Sequence, residues 1–388
     1  MYKDNNQKEL QIEDINVDES LKSPVLINKG SFGCVYYPNL PCNDDKEIDG
    51  DKTKYISKIQ YKDNIFENEN EISKIIKTIH NYQLFFAPLE STCSSTIDIN
   101  DDFFMDKSVE NSCPLLANNP EEEINAVKAD ADADADANAN TNTDAALKKD
   151  NIVSTKIRFV GDFSIYDYLE TLPKEIFFIK TKEAFSYVMF SIDLLIEKGI
   201  VHYDIKNNNI MYDLLNHSPI IIDFGLSFEF AKLNIEMISK IFNNIELFPF
   251  WCIDIYILSF FSVKISTKEK NFESSSLEEI IDLFYENLKK TDIFTEEELT
   301  NNKKENESFL KPFLNGTWDN LLKELLKEQF VFTWDKYCTC LTFISIMKSE
   351  QIIINENDRS TTFDKTLHDV VLCSPSKRKE KIDSISQY

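Results

Sequence analysis

The sequence predicts an α+β protein in which a small β-rich part is followed by a larger, mainly helical part. Short apolar runs separated by turn residues begin at Val25 and are typical of strands. Longer segments with apolar residues at helical spacing dominate after Gly161. The chain has 388 residues, of which 42% are hydrophobic, so it can bury a substantial core.

The β-rich part is predicted from three strands and one helix. A glycine turn over residues 30–33 joins apolar residues 25–27 to residues 34–37, which is the pattern of a β-hairpin. A polar loop then leads to a strand over residues 54–60. A helix follows, because apolar residues recur at positions i, i+3, i+4 and i+7, namely Ile72, Ile75, Ile76 and Ile79.

A long insertion interrupts the β-rich part at residues 91–154. Residues 129–143 repeat Ala-Asp, Ala-Asn and Thr-Asn, and these small side chains with like charges cannot offset the entropy lost on ordering. We therefore predict a disordered acidic insertion. The predicted organisation is a tail over 1–22, the β-rich part over 23–160, the helical part over 161–373 and a polar, basic tail over 374–388.

The helical part is expected to begin just after a strand over residues 155–160. Helices are predicted over residues 164–171 and 180–198, and Gly199 ends the second of them. A short, strongly apolar helix is predicted over residues 251–260, with Asp254 inside it.

Composition and charge exclude several classes of function. The net charge of −25 argues against binding to a nucleic-acid backbone, which needs clustered Lys and Arg. No run of about 18 uncharged apolar residues is present, so no membrane span is expected. No secretory signal is evident, so we expect an intracellular, cytoplasmic protein with its eight cysteines reduced. No two cysteines have the Cys-x-x-Cys spacing of a zinc site.

Three separated segments carry the residues best suited to chemistry. The first is the glycine turn with its flanks, over residues 28–35. The second contains Asp204, Lys206 and Asn209, and the third ends in Asp223-Phe224-Gly225. Phosphoryl transfer needs a carboxylate to accept the proton of the attacking hydroxyl, oxygen ligands for Mg²⁺ and cations beside the phosphates. Asp and Asn oxygens suit Mg²⁺, and a glycine turn lets backbone N–H groups approach phosphate oxygens.

These segments resemble the eukaryotic-type protein kinase family. The family's catalytic loop, His-Arg-Asp-x-Lys-x-x-Asn, is matched by His202, Asp204, Lys206 and Asn209, and its Asp-Phe-Gly motif is matched outright at 223–225. Its glycine-rich loop is matched by Gly30, Gly33 and Val35, and its Val-Ala-Ile-Lys strand by residues 55–58. The resemblance covers roughly residues 25–373, weakly beyond Asp254, and implies a two-lobed kinase-like fold with ATP at the junction of the lobes.

The resemblance also implies a role for each matched residue. Asp204 would be the catalytic base, Lys206 would steady the transferred phosphoryl group, and Asn209 and Asp223 would hold Mg²⁺. Asp254 would brace the catalytic loop from a buried helix. The residues implied around ATP are Gly30, Ser31, Phe32, Gly33, Val35, Lys58, Glu71 and Met211. Glu71 is the expected partner of Lys58, with Glu69 as its rival on the same helix.

The chain departs from the family pattern at several positions. Tyr203 replaces the Arg that normally pairs with a phosphorylated activation segment, so no such phosphate is expected to be required. The same segment offers only Ser227 and Ser239 as hydroxyl residues. The Ala-Pro-Glu motif is missing, and Ile56 stands where a small residue roofs the adenine site. Cys34 in the glycine-rich loop is interpreted as a small packed residue, with a reactive thiol as the alternative.

The resemblance implies an ATP- and Mg²⁺-dependent Ser/Thr protein kinase. Lys206 is the pattern of Ser/Thr kinases, so the expected partner is a protein substrate with Ser or Thr, and the chain is expected to be a monomer that binds no nucleic acid or membrane. The alternatives are a pseudokinase that acts as a nucleotide-binding scaffold and a small-molecule kinase. Residues 33–42 and the Asn-, Ile- and Lys-rich composition resemble kinase-like proteins of giant DNA viruses, which implies host cytoplasm or virion as the location.

Overall fold

A computed structural model describes residues 24–30, 33–42, 52–93, 113, 115, 152–234, 237, 238, 241, 247–267, 271–349 and 362–385. The predicted α+β class is confirmed, because a small β-rich N-terminal part precedes a larger helical C-terminal part. The predicted tail over 1–22 and most of the predicted insertion lie outside the described residues.

A five-stranded antiparallel sheet forms the N-terminal part. Its strands are β1 (Val25–Gly30), β2 (Gly33–Tyr37), β3 (Tyr55–Tyr61), β5 (Leu89–Thr92) and β6 (Ile152–Arg158). They lie in the order β1-β2-β3-β6-β5. Strand β2 can lie close to β3 because residue 33 is glycine: a Cβ there would stand 2.4 Å from the Ile59 carbonyl oxygen.

The two faces of this sheet have different partners, because successive side chains in a strand point to opposite sides. Cys34 pairs in register with Ile59, and both side chains are fully buried in a small apolar cluster with Leu115. Val35 pairs with Lys58 and points to the other face, toward helix α1 (Asn64–Ile76) and the helical part.

Helix α1 has a well-defined beginning and a buried stripe. The Asp63 carboxylate caps it by accepting hydrogen bonds from the N–H groups of Ile65 and Phe66. Ile72 and Ile76 are buried and join the main core of the C-terminal part. The helix therefore links the sheet to the larger part of the molecule.

Ten α-helices are described after residue 152, together with two small sheets, one of which includes a strand from the N-terminal part. The helices are α2 (Ile165–Glu170), α3 (Lys174–Glu197), α4 (Ile253–Thr267), α5 (Ser274–Lys290), α6 (Glu296–Leu310), α7 (Trp318–Leu325), α8 (Glu328–Val331), α9 (Trp334–Ser349), α10 (Thr362–Val371) and α11 (Pro375–Ile385). The sheets contain β4 (Phe86–Ala87), β7 (Ile200–Val201), β8 (Ile210–Asp213), β9 (Ser218–Ile222) and β10 (Phe228–Glu229), in the orders β4-β9-β8 and β10-β7.

Helix α9 lies at the centre of the C-terminal core. Its side chains are buried on all sides, including those of Trp334, Tyr337 and Phe343. Phe343 packs edge-on against Phe185 of α3, so the central helix contacts the helix that precedes β7 and the loop after it. This packing places the start of α9 under the residues that follow β7.

The C-terminal end of the chain corrects one prediction, because residues 375–385 form helix α11 and not a tail. Arg378 of α11 is buried, and its guanidinium donates to Asp254 Oδ2 of α4 at 2.6 Å. Ile382 and Ile385 enter the main core one and two turns later. The sequence prediction missed this helix because Lys and Ser dominate the segment. The first residue on its buried face is also charged, and its partner is buried.

The predicted bounds of the insertion also need correction. Strand β5 continues to Thr92 and β6 begins at Ile152, both inside the range 91–154.

The predicted state of the cysteines needs correction as well. Cys113 is buried and forms a disulfide with Cys34, and Cys42 forms another with Cys93. The reduced state predicted for all eight cysteines is therefore wrong for these four, whereas Cys252, Cys338, Cys340 and Cys373 are free and buried.

None of the helices that the structure describes has both the length and the apolar character needed to cross a membrane.

Candidate active site

The loop that carries Asp204 follows β7 and is hydrogen-bonded to helix α9. Asp335, at the start of α9, accepts hydrogen bonds from the N–H groups of His202 at 2.7 Å and Tyr203 at 2.8 Å. The brace predicted at Asp254 is therefore wrong: Asp254 pairs with Arg378, and Asp335 holds the loop. Both residues lie near the N-terminus of an apolar helix, so the sequence alone could not separate them.

Asp204, Lys206 and Asn209 form one connected group. Lys206 Nζ lies 3.1 Å from Asp204 Oδ2. Asn209 belongs to a short 3-10 turn over Asn207–Asn209, and its amide nitrogen donates to both the carbonyl oxygen and Oδ2 of Asp204, each at 2.8 Å. The amide of Asn209 thus fixes the orientation of the Asp204 carboxylate.

Asp223 follows strand β9 and has a backbone conformation that is rare outside glycine, with φ of 59°. The next residue, Phe224, is buried and packs edge-on against Phe86 and His202. His202 is bonded through Nε2 to the carbonyl of Ile222, and its Nδ1 accepts from the Asp204 N–H at 3.3 Å. The histidine ring therefore joins the backbone segments at the two acidic residues.

Lys58 of β3 reaches two carboxylates from opposite directions. Its ammonium lies 3.1 Å from Glu69 Oε2 on α1 and 3.2 Å from Asp223 Oδ1. Gln60 donates to the same Glu69 oxygen at 3.2 Å. Lys58 and Glu69 are both buried, whereas the Asp223 side chain is 40% exposed and faces the cleft.

The structure overturns the choice of Glu71 as the partner of Lys58. Glu71 is largely exposed and pairs with Lys232 at 3.1 Å, whereas Glu69 contacts Lys58. Helical phase explains the difference, since Glu69, Ile72 and Ile76 follow i, i+3, i+7 spacing and share the buried face. The signal was present in the sequence, because this stripe selects Glu69 and places Glu71 on its flank.

The electrostatic environment shifts the pKa values of the two cleft carboxylates in opposite directions. Burial raises the pKa of Asp204, and the nearby Lys206 and His202 only partly oppose that rise. Burial also acts to raise the pKa of Asp223, but Lys58 outweighs it, so this pKa lies below its usual value. For Lys58, burial acts to lower the pKa, and the carboxylates of Asp223 and Glu69 raise it above the usual range. One acid is thus suited to proton exchange and the other to constant negative charge.

Three of these groups, Lys58, Asp204 and Asp223, line one small cavity. Its walls are Lys58, Ile65, Asp204, Asp223, Gly225 and Leu226. Lys58 and Ile65 come from the N-terminal part and the other four residues from the C-terminal part. The predicted base, the predicted metal ligand and the predicted phosphate-binding lysine therefore converge on the same space.

The remaining predicted nucleotide contacts lie around this cleft or outside the described residues. Gly30 and Gly33 pair with each other at the end of the β1–β2 hairpin, and Ser31 and Phe32 between them lie outside the described residues. Val35 is half-buried on the Lys58 face of the sheet, as is Ile56, two residues before Lys58 in β3. Met211 is half-buried in β8, two residues after Asn209.

The donor set fits a magnesium ion held mainly through substrate phosphates. The Asn209 side chain bonds to Asp204 only through its amide nitrogen, which leaves its oxygen for a metal. Asp223 adds a carboxylate with a lowered pKa and an exposed edge. Within the part of the chain that the structure describes, no three His, Cys, Asp or Glu side chains form a metal site by themselves. Mg²⁺ does not require one, because one or two protein oxygens with phosphates and water suffice.

Comparison with known proteins adds no family: no family model matches the chain, and no curated protein matches it.

Proposed function

We propose that this chain is an ATP-dependent protein kinase that transfers the γ-phosphate to Ser or Thr hydroxyls. In this proposal the β-rich and helical parts are the two lobes of a kinase-like fold, with ATP between them. The observation that carries it is the contact of Lys58 with Asp223 across the cleft, beside Asp204 in the same cavity. A cation, an ionised acid and a proton acceptor in one space are what phosphoryl transfer requires.

Asp204 acts as the base in this mechanism. Its carboxylate accepts the proton of the substrate hydroxyl while that oxygen forms a bond to the γ-phosphorus, the bond from phosphorus to the β–γ bridging oxygen breaks, and ADP leaves. Asn209 holds the carboxylate in place at 2.8 Å, and Lys206 at 3.1 Å places a positive charge beside the transferred group.

Lys58 and Asp223 position the nucleotide. Lys58 offers its ammonium to the α- and β-phosphates, and Glu69 keeps that ammonium in the cleft. Asp223 and Asn209 would hold Mg²⁺, which supplies positive charge to the phosphates when it is bound. Val35, Ile56 and Met211 offer half-buried apolar surface suited to a purine ring.

The test is transfer of labelled phosphate from ATP by wild type and by Asp204→Asn. Burial raises the pKa of Asp204 in the folded state, so its ionisation costs stability as the pH rises through that pKa. The Asn variant should therefore be no less stable than wild type at neutral pH, and should bind MgATP while its rate falls at least about 100-fold. Asp282→Asn, an exposed Asp on α5, is the control and should keep the wild-type rate.

Equal transfer by wild type and Asp204→Asn would remove Asp204 as the base. Binding of MgATP without transfer by any of the proteins would replace the kinase with a pseudokinase. Transfer to small hydroxyl compounds but not to proteins would favour a small-molecule kinase.

A further inference from the structure

Tyr203, the residue before the proposed base, is held in an unusual backbone conformation by side chains from two helical regions. Its φ is 72°, in the left-handed region that residues other than glycine rarely adopt. Its N–H donates to Asp335 Oδ1, and its carbonyl oxygen accepts from Trp251 Nε1 at 3.1 Å. Groups outside the loop therefore fix the peptide units on both sides of its Cα.

The ring of Tyr203 strengthens the same contact. It packs against the indole of Trp251 at a centroid distance of 4.9 Å and against Phe228 at 6.1 Å. Tyr203 and Trp251 are only 1% and 3% exposed. The hydrogen bond from the indole is thus shielded from water, which makes its loss costly.

Trp251 is also linked, through Phe248, to the lysine that follows the base. Phe248 packs edge-on against Trp251 at 6.2 Å, and Lys206 Nζ lies 5.8 Å from the centre of the Phe248 ring. Lys206 in turn pairs with Asp204. One indole therefore supports the residue before Asp204 and, through Phe248, the lysine that follows it.

Given the proposed function, we propose that Trp251 is a positioning residue that fixes the Tyr203 peptide and thereby the direction of the Asp204 carboxylate. It replaces an Arg–phosphate pair with a permanent aromatic contact, so the catalytic loop is assembled without phosphorylation. Ser227 supports this view, because it is buried and donates to the His202 carbonyl at 3.2 Å. Ser239, the other hydroxyl of the segment, lies outside the described residues.

The test uses Trp251→Phe, which keeps an aromatic ring and removes the indole N–H. We expect kcat to fall at least about tenfold while the KM for MgATP changes less than about twofold, because the nucleotide contacts remain. Exchange of the amide hydrogens over residues 202–206 should be at least about tenfold faster than in wild type. Trp318→Phe is the matched control, because Trp318 is buried among Phe260, Phe261 and Phe272. This variant should keep the wild-type kcat and the wild-type amide exchange over residues 202–206.

Three results would overturn the proposal. A kcat for Trp251→Phe equal to that of wild type would show that the indole does not position the base, even if amide exchange becomes faster. Equal losses in both Trp variants would show a general packing effect. If wild type transfers no phosphate, the proposed function fails, and unchanged exchange over 202–206 would then also refute the positioning contact.

Discussion

Glu69 and Asp335 show how single residues connect this fold to its site. Each is buried and each holds a cleft group from a distance in sequence: Glu69 holds Lys58, and Asp335 holds the peptides before Asp204. Burial raises the pKa of Asp335, opposed by His202 and by the two N–H groups that it accepts from. The candidate site therefore depends on acids that do not themselves line its cavity.

The partner of Lys58 can be tested by comparing Glu69→Gln with Glu71→Gln. The first change removes the buried charge beside the lysine, so kcat/KM for ATP should fall at least about tenfold, equivalent to about 1.4 kcal/mol. The second removes an exposed charge and should change kcat/KM less than about twofold. Steady-state kinetics at several ATP concentrations measure both. A larger loss for Glu71→Gln would restore the partner predicted from the sequence.

In the proposed mechanism, the pH dependence of kcat reports the ionisation of Asp204. The base must be ionised, so activity should fall as the pH drops through its pKa, which burial places above the usual value for Asp. Lys206 lowers that pKa, so Lys206→Met should move the acid limb to higher pH. Lys232→Met, which removes an exposed lysine, should leave the limb in place. An acid limb that stays fixed or moves to lower pH in Lys206→Met would contradict this assignment.

At the scale of elements, helix α11 is part of the folded domain and the Arg378–Asp254 pair anchors it. The two side chains are 1% and 0% exposed, so the pair has no contact with solvent. Asp254 belongs to α4, whose first turns are fully buried in the main core. The last helix of the chain is thus tied to the centre of the C-terminal part.

Substitution of Arg378 by Met should strongly destabilise the protein. It leaves the carboxylate of Asp254 buried without its cation, and breaking a buried pair typically costs about 3–5 kcal/mol. Lys379→Met, on the exposed side of the same helix, should change stability by no more than about 0.5 kcal/mol. Denaturant unfolding measures both variants. Equal midpoints would mean that α11 does not depend on this pair.

At the scale of the whole molecule, the features that could be predicted from the sequence are those that short-range sequence patterns determine. The strand with Lys58, the loop with Asp204 and the Asp223 motif each have short-range signals, and the structure brings residues of all three to one cavity. Most of the errors involve pairings over long distances, whereas the choice of Glu71 over Glu69 missed a local helical period. Asp335 and Arg378 lie more than 120 residues from their partners in sequence, and Cys34 and Cys113 are separated by 79 residues, so no local period encodes these contacts.

The central claim is that the two parts of the molecule form one MgATP site through Lys58 and Asp223. A double-mutant cycle on MgATP affinity tests it most directly, with wild type, Lys58→Met, Asp223→Asn and the double variant measured by isothermal titration. Each single change should weaken binding at least about tenfold, and the double change should cost less than the sum, with a coupling of about 0.5–3 kcal/mol. Strictly additive losses, or a wild type that binds no MgATP, would contradict the claim.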